Sequence, residues 1–230
     1  MARIGHWVTK FRQQPEVVQL IWASLALAFL GALATARWSL AFVALATFAL
    51  SLAPLVFVRR LGVRLPMAFV AGIVIFIYFT IFLGEAFDFY ERYVWWDVLL
   101  HGGSALAFGL IGFLFAYTLF EGDRYAAPAW ALALIAFSFA VTIGAVWEIF
   151  EFAMDQTFGL NMQKSGLVDT MWDLIVDVTG GGIGAFCGFL FLKGRELGGL
   201  TAVLHDFVEK NRAFYRRHRP HRRARRGQRD

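Results

Sequence analysis

The chain has 230 residues, 59% of them hydrophobic and 17% charged, with a mean hydropathy of +0.58 and a formal net charge of +5. A soluble domain carries about a quarter charged residues, so this composition excludes a water-soluble enzyme or binding module. The apolar residues fall in about six runs, each near the roughly 20 residues that cross a hydrocarbon core, which predicts an all-α polytopic membrane protein.

In chain order, Met1 to about Pro15 sets Trp7, Val8 and Phe11 among Lys10 and Arg12, a pattern that suits a short interfacial segment. The first span is expected over 17–35. Ala32-Leu33-Ala34 has the form of a signal-peptidase site, but the apolar run before it exceeds the roughly 7–15 residues of a signal sequence, so an uncleaved helix is expected. A turn at Arg37-Trp38 leads to the second span, 39–58. Arg59, Arg60 and Arg64 then precede Pro66 and the third span, 67–84. The loop Glu85–Trp96 carries Glu85, Asp88, Glu91 and the pair Trp95-Trp96. The fourth span is expected over 97–120, followed by a turn at Glu121-Gly122-Asp123-Arg124. The fifth runs over 128–151, and a polar loop over 155–168 leads to the sixth, 169–192.

Residues 1–192 thus form a transmembrane domain, and 193–230 a cytoplasmic appendage. In the appendage, Leu200, Val203, Leu204, Phe207 and Val208 make an apolar helical stripe opposite Asp206, Glu209 and Lys210. The Arg-rich block from Arg216 to Arg229 is expected to be disordered. Beside a span, its nearest partner is the anionic head groups of the bilayer rather than nucleic acid.

Lys and Arg concentrate in short cytoplasmic loops. Here they flank the first span, separate the second from the third, and follow the sixth. Both termini are therefore expected in the cytoplasm, with the loops 85–96 and 155–168 outside. Trp95 and Trp96 suit an aromatic belt at the outer surface. Cys187 is the one cysteine and lies in an apolar run, where packing explains it.

Ionisable residues inside a bilayer are costly and mark functional sites. Asp97 and His101 open the fourth span at i,i+4 spacing and so share a face. Glu148 and Glu151 close the fifth at i,i+3. Asp169, Asp173 and Asp177 fall at i, i+4, i+8 in the sixth, and a rise of about 1.5 Å per residue puts Asp177 roughly 12 Å below Asp169. In the expected topology all three stripes lie toward the outer surface and can converge on one pocket. So many carboxylates cannot all stay ionised together without cations, and a divalent metal is the simplest compensation. One histidine among carboxylates favours magnesium, manganese, zinc or iron. The Glu-x-x-His pairs of di-iron bundles are absent from the sequence. Plainer readings stand beside this one. Asp97 and Asp169 suit helix N-caps, Glu151 suits the head-group region, and the deeper acids could serve only as polar contacts between helices. Gly180-Gly181-Gly182, Gly184 and Gly188 lack the flanks of a phosphate loop and fit close helix packing.

The motifs Trp96-Asp97-x-x-x-His101, Trp147-Glu148-x-x-Glu151 and Gly166-x-x-Asp169-Thr170-x-Trp172-Asp173-x-x-x-Asp177-x-x-Gly180 resemble the bacterial inner-membrane proteins of the YjdF type, a family of uncharacterised function. Their order is also similar to that of VanZ-like proteins. The resemblance covers about Trp95 to Gly188 and implies an inner-membrane location with a link to the cell envelope. CDP-alcohol phosphotransferases share only the Asp-x-x-x-Asp spacing; their other signature residues are missing.

The expectation is a metal site of Asp97, His101, Glu148, Asp173 and Asp177. Glu151 or Asp169 would be the catalytic base of a hydrolase or transferase working on a lipid-linked substrate. A cation- or ligand-binding or transport protein, and a structural membrane partner without turnover, are the alternatives.

Overall fold

A computed structural model describes residues 14–61, 64–120, 127–195 and 198–211, all helix, turn or loop. The expected interfacial segment before Gln14, the turn at 121–124, the side chains of Arg59 and Arg60, and the Arg-rich tail beyond Asn211 lie outside the described residues.

The helices are α1 Glu16–Ala34, α2 Trp38–Leu61, α3 Met67–Ile77, α4 Phe89–Arg92, α5 Trp95–Phe120, α6 Ala129–Phe158, α7 Leu167–Leu192 and α8 Gly199–Lys210. Starts are set by proline: Pro15, Pro66 and Pro128 stand directly ahead of α1, α3 and α6. A proline disfavours helical backbone in the residue before it, so the helix cannot extend backwards. Five of the helices, with α3 counted through Glu85, are long and apolar enough to cross a membrane. This is a polytopic all-α membrane protein.

Two boundaries differ from the sequence expectation, whereas α2, Trp38–Leu61, covers the second expected span, 39–58. The third helix changes register: α3 continues as a π-helix from Tyr78 to Glu85. The fifth runs on to Phe158 instead of stopping at Glu151, and Gly159 ends it at φ +65°. Asp155 therefore belongs to α6. Its two carboxylate oxygens accept the backbone N–H groups of Met162 (2.7 Å) and Gln163 (2.9 Å), which folds the following loop back on the helix.

The spans form two groups. Val18, Ile21, Trp22 and Leu25 of α1 pack with Ala44, Val70, Val74 and Phe82, and Trp22 Nε1 donates to Ser51 Oγ at 2.8 Å. The second group is α5, α6 and α7, with α5 packed most extensively on α7. Small residues make that contact. A Cβ placed on Gly180 would lie 2.6 Å from the Gly102 carbonyl oxygen, and one on Gly109 would lie 2.7 Å from the Gly181 carbonyl oxygen. The two backbones touch, which only glycine allows.

The amphipathic α8 lies against the protein as well as beneath it. Leu204 is fully buried in the α5–α7 core, and the Phe207 ring meets Phe69 at 5.8 Å. Asn211 then clasps the α2–α3 loop. Its Oδ1 accepts the Arg64 N–H and its Nδ2 donates to the Arg64 carbonyl, both at 2.7 Å.

Gly180→Ala should destabilise the detergent-solubilised protein by about 1–3 kcal/mol, because the added methyl drives two backbones apart. Gly182→Ala is the control, since its Cβ would meet nothing nearer than 3.8 Å. It should be neutral or slightly stabilising in the same thermal melt. Equal losses for both would contradict the seam.

Candidate metal centre

The three acidic stripes do meet. His101 stands nearly two turns into α5, about one turn from Asp97, and is 8% exposed. Its Nε2 lies 3.8 Å from Asp97 Oδ1 and 4.0 Å from Glu148 Oε1 of α6. Its Nδ1 lies 3.4 Å from both carboxylate oxygens of Asp177 on α7. One ligand atom each from Asp97, His101 and Asp173 falls within 4.8 Å of the others. Glu148, Asp173 and Asp177 are almost wholly buried, at 4%, 3% and 2% exposure, and Asp97 is half-buried.

Helix geometry explains the convergence. Asp173 and Asp177 are one turn apart on the α7 face that carries Gly180 and Gly184, so the seam that joins α7 to α5 also carries these acids to His101. Glu148 shares its α6 face with Gly144, and a Cβ at Gly144 would overlap the Asp177 carboxylate. Glycine at 144 is thus what lets Asp177 sit between α6 and α7.

Polar satisfaction is incomplete. Both oxygens of Glu148 and Oδ2 of Asp173 are buried without a hydrogen-bond partner among the described residues. A buried charge without partners is among the costliest features a fold can carry. These oxygens face one imidazole, other carboxylates and the neighbouring Thr170, a donor set whose chemistry suits a hard or borderline cation.

Glu151 and Asp169 stand outside this inner group, both half-buried. Glu151 Oε1 accepts from Trp147 Nε1 at 2.9 Å on the exposed side of α6. Asp169 Oδ2 accepts the Lys164 backbone N–H at 2.9 Å. Lys164 extends its ammonium to Glu91 Oε1 at 2.6 Å, which ties the loop before α7 to the one before α5.

Sequence reasoning passed over Tyr90. Its ring lies against Gly84, near the end of the π-helical segment, where a Cβ would overlap it. Burial holds the phenol well above its ordinary pKa, and the charges of Asp97, Glu85 and Glu151 push the same way. Nothing in the loop's composition singles out this tyrosine. Trp96 was read as an interfacial anchor, yet it is buried against Phe79 and Phe89 with Nε1 unpartnered among the described residues. Trp95 does keep the exposed position of a belt residue.

Residues 17–194 match the model of a family described as "Predicted membrane protein (DUF2238)". An uncharacterised protein of Thermotoga maritima is 34% identical over 98 residues, covering 43% of this chain and 50% of that relative. The chain thus spans about half the length of the curated relative it matches. No solved structure matches. The chain belongs to the DUF2238 family of predicted membrane proteins.

Because the Tyr90 pKa is raised in the folded protein, its stabilising contribution holds below the ordinary phenol value of about 10 and is lost as pH rises beyond it. Tyrosinate absorbance of the folded protein should therefore be the same for wild type and Tyr90→Phe up to about pH 11. A wild-type excess of one tyrosinate at that pH would mean an ordinary exposed phenol.

Proposed function

We propose that this chain is a YjdF-type protein of the bacterial inner membrane. Its buried Asp/His cluster is a divalent-cation site, and the protein is a hydrolase or transferase for a lipid-linked phosphate or ester of the cell envelope. One observation carries the cation: the unpartnered oxygens of Glu148, beside the Nε2 edge of His101, and of Asp173, which shares a group with Asp97 and His101. Asp97, His101 and Asp173 are the ligands, with Glu148 as the fourth. Imidazole with carboxylates suits zinc, manganese or iron, and magnesium when water completes its shell.

A divalent cation held there supplies Lewis acidity and water activated at neutral pH. The surrounding residues fit the rest of such a reaction. Glu151 is the general base: it sits beside the inner group, close enough to Glu148 and Asp97 to feel their charge, and Trp147 orients it. Asp169 suits this role less, because one of its oxygens already holds the Lys164 backbone. Next to Asp97, the buried Trp96 ring packs on the half-buried rings of Phe79 and Phe89, which sets apolar surface beside the acids. The site lies toward the membrane surface rather than the midplane, where a lipid head group reaches it.

The reading places both termini in the cytoplasm and the site at the outer face. Two contacts support that parity. Lys164–Glu91 joins two loops at the acidic end, while Asn211–Arg64 joins the C-terminal helix to the α2–α3 loop at the basic end. Reporter fusions at Lys164 and after Arg195 should read opposite sides of the membrane. The same side for both would remove the outward-facing site.

A ligand that binds only the folded state adds stability by mass action, about 2.7 kcal/mol at a hundredfold excess over its dissociation constant. Chelator should lower the melting temperature of the solubilised wild type, and zinc or manganese should restore it. Asp173→Asn should fold, melt at least as high as chelated wild type, and ignore the metal. A wild type indifferent to every divalent ion, with an Asp173→Asn protein that cannot fold, would make the acids a structural network between helices.

A further inference from the structure

The two edges of the His101 ring face different surroundings. Nδ1 points at Asp177, with both carboxylate oxygens 3.4 Å away. Nε2 points toward Asp97 and Glu148, at 3.8 and 4.0 Å. The unpartnered oxygens belong to Glu148 and Asp173, and Asp177 contributes none. The Asp177 side is also closed. Asp177 is 2% exposed, and Gly144 of α6 backs its carboxylate so tightly that even a methyl group would overlap it.

We infer that Asp177 is a positioning residue and not a ligand: it fixes the His101 ring so that Nε2 alone faces the cation, on the side of Asp97, Asp173 and Glu148. This rests on the metal-site reading. The chemistry is that of a carboxylate behind a metal-bound histidine. A carboxylate that accepts from the ring leaves the proton on Nδ1. The lone pair is then left on Nε2, and the ring is more basic toward a cation. Gly144 is part of the same device, because a larger residue there displaces Asp177 from His101. The acids of α7 thus divide by one helical turn: Asp173 meets the ion, and Asp177 aims the ligand that meets it.

The full-length, detergent-solubilised protein labelled with 15N-histidine tests this, with the His101→Asn protein used to assign the resonance and 113Cd2+ as the probe ion. One-bond coupling between cadmium and Nε2 of His101, with a proton retained on Nδ1, is the expected result. Coupling to Nδ1 would overturn the assignment. Asp177→Asn should keep its fold and bind Cd2+ about 10–100-fold more weakly, because the amide can donate to Nδ1 and so move the ring proton onto Nε2. Unchanged affinity would overturn the positioning role. Should Asp177→Asn fail to fold, the wild-type spectrum alone decides. Should cadmium not bind at all, the metal reading fails separately. The metal-free wild type then tests the ring: a proton on Nδ1 upholds the orientation by Asp177, and a bare Nδ1 refutes it.

Discussion

Inside a bilayer no hydrophobic effect presses one helix on another, because lipid tails are as apolar as leucine. Association comes from close van der Waals fit and from polar contacts. In this protein the fit is between the backbones of α5 and α7, at Gly102 and Gly109 on one and Gly180, Gly181 and Gly184 on the other. Everything at the acidic end depends on that approach. Side chains of ordinary size along the seam would widen the gap and carry Asp173 and Asp177 away from His101. The glycines bind nothing themselves, but they set the distance at which three helices can share one imidazole.

Much of this was legible in the sequence. Runs of apolar residues gave the helices, prolines gave three of their starts, and carboxylates at helical spacing gave the three faces that converge. Convergence could be read because the chain alternates direction at each span, so acids at a start, an end and a start fall at one depth. The remainder depends on contacts between elements. The π-helical segment of Tyr78–Glu85 leaves no mark in its stretch of sequence, and neither does the packing of Tyr90 on Gly84 near its end. Gly144 carries no motif of its own in the sequence, yet its missing side chain makes the room that Asp177 fills. The length of α6 was underestimated because Glu151 looked like a polar terminus. Asp155, a full turn later, belongs to the same helix and folds the next loop back on it.

Six acids of the last two spans and the loop between them separate by their partners. Asp155 and Asp169 are occupied by backbone N–H groups, and Glu151 by a tryptophan. Asp177 is occupied by the imidazole. Glu148 and Asp173 keep oxygens without partners. Spacing alone treats these carboxylates as equals. Their hydrogen bonds divide them into those held by backbone or tryptophan donors, one beside a ring, and those whose oxygens stay unpartnered among the described residues.

The clasp between Asn211 and Arg64 joins residues 147 positions apart, and this has a consequence for how the chain is made. Arg64 leaves the ribosome with the first three helices, long before its partner exists. Through most of synthesis the loop at Arg64 must satisfy its backbone groups with water or lipid head groups. Only when α8 has been made can Leu204 and Phe207 settle against the helices and Asn211 take over those bonds. The loop at Arg64 therefore gains its last contacts late, although it is translated early. A chain released before residue 211 could hold all its spans and still lack one of the contacts that join the two groups.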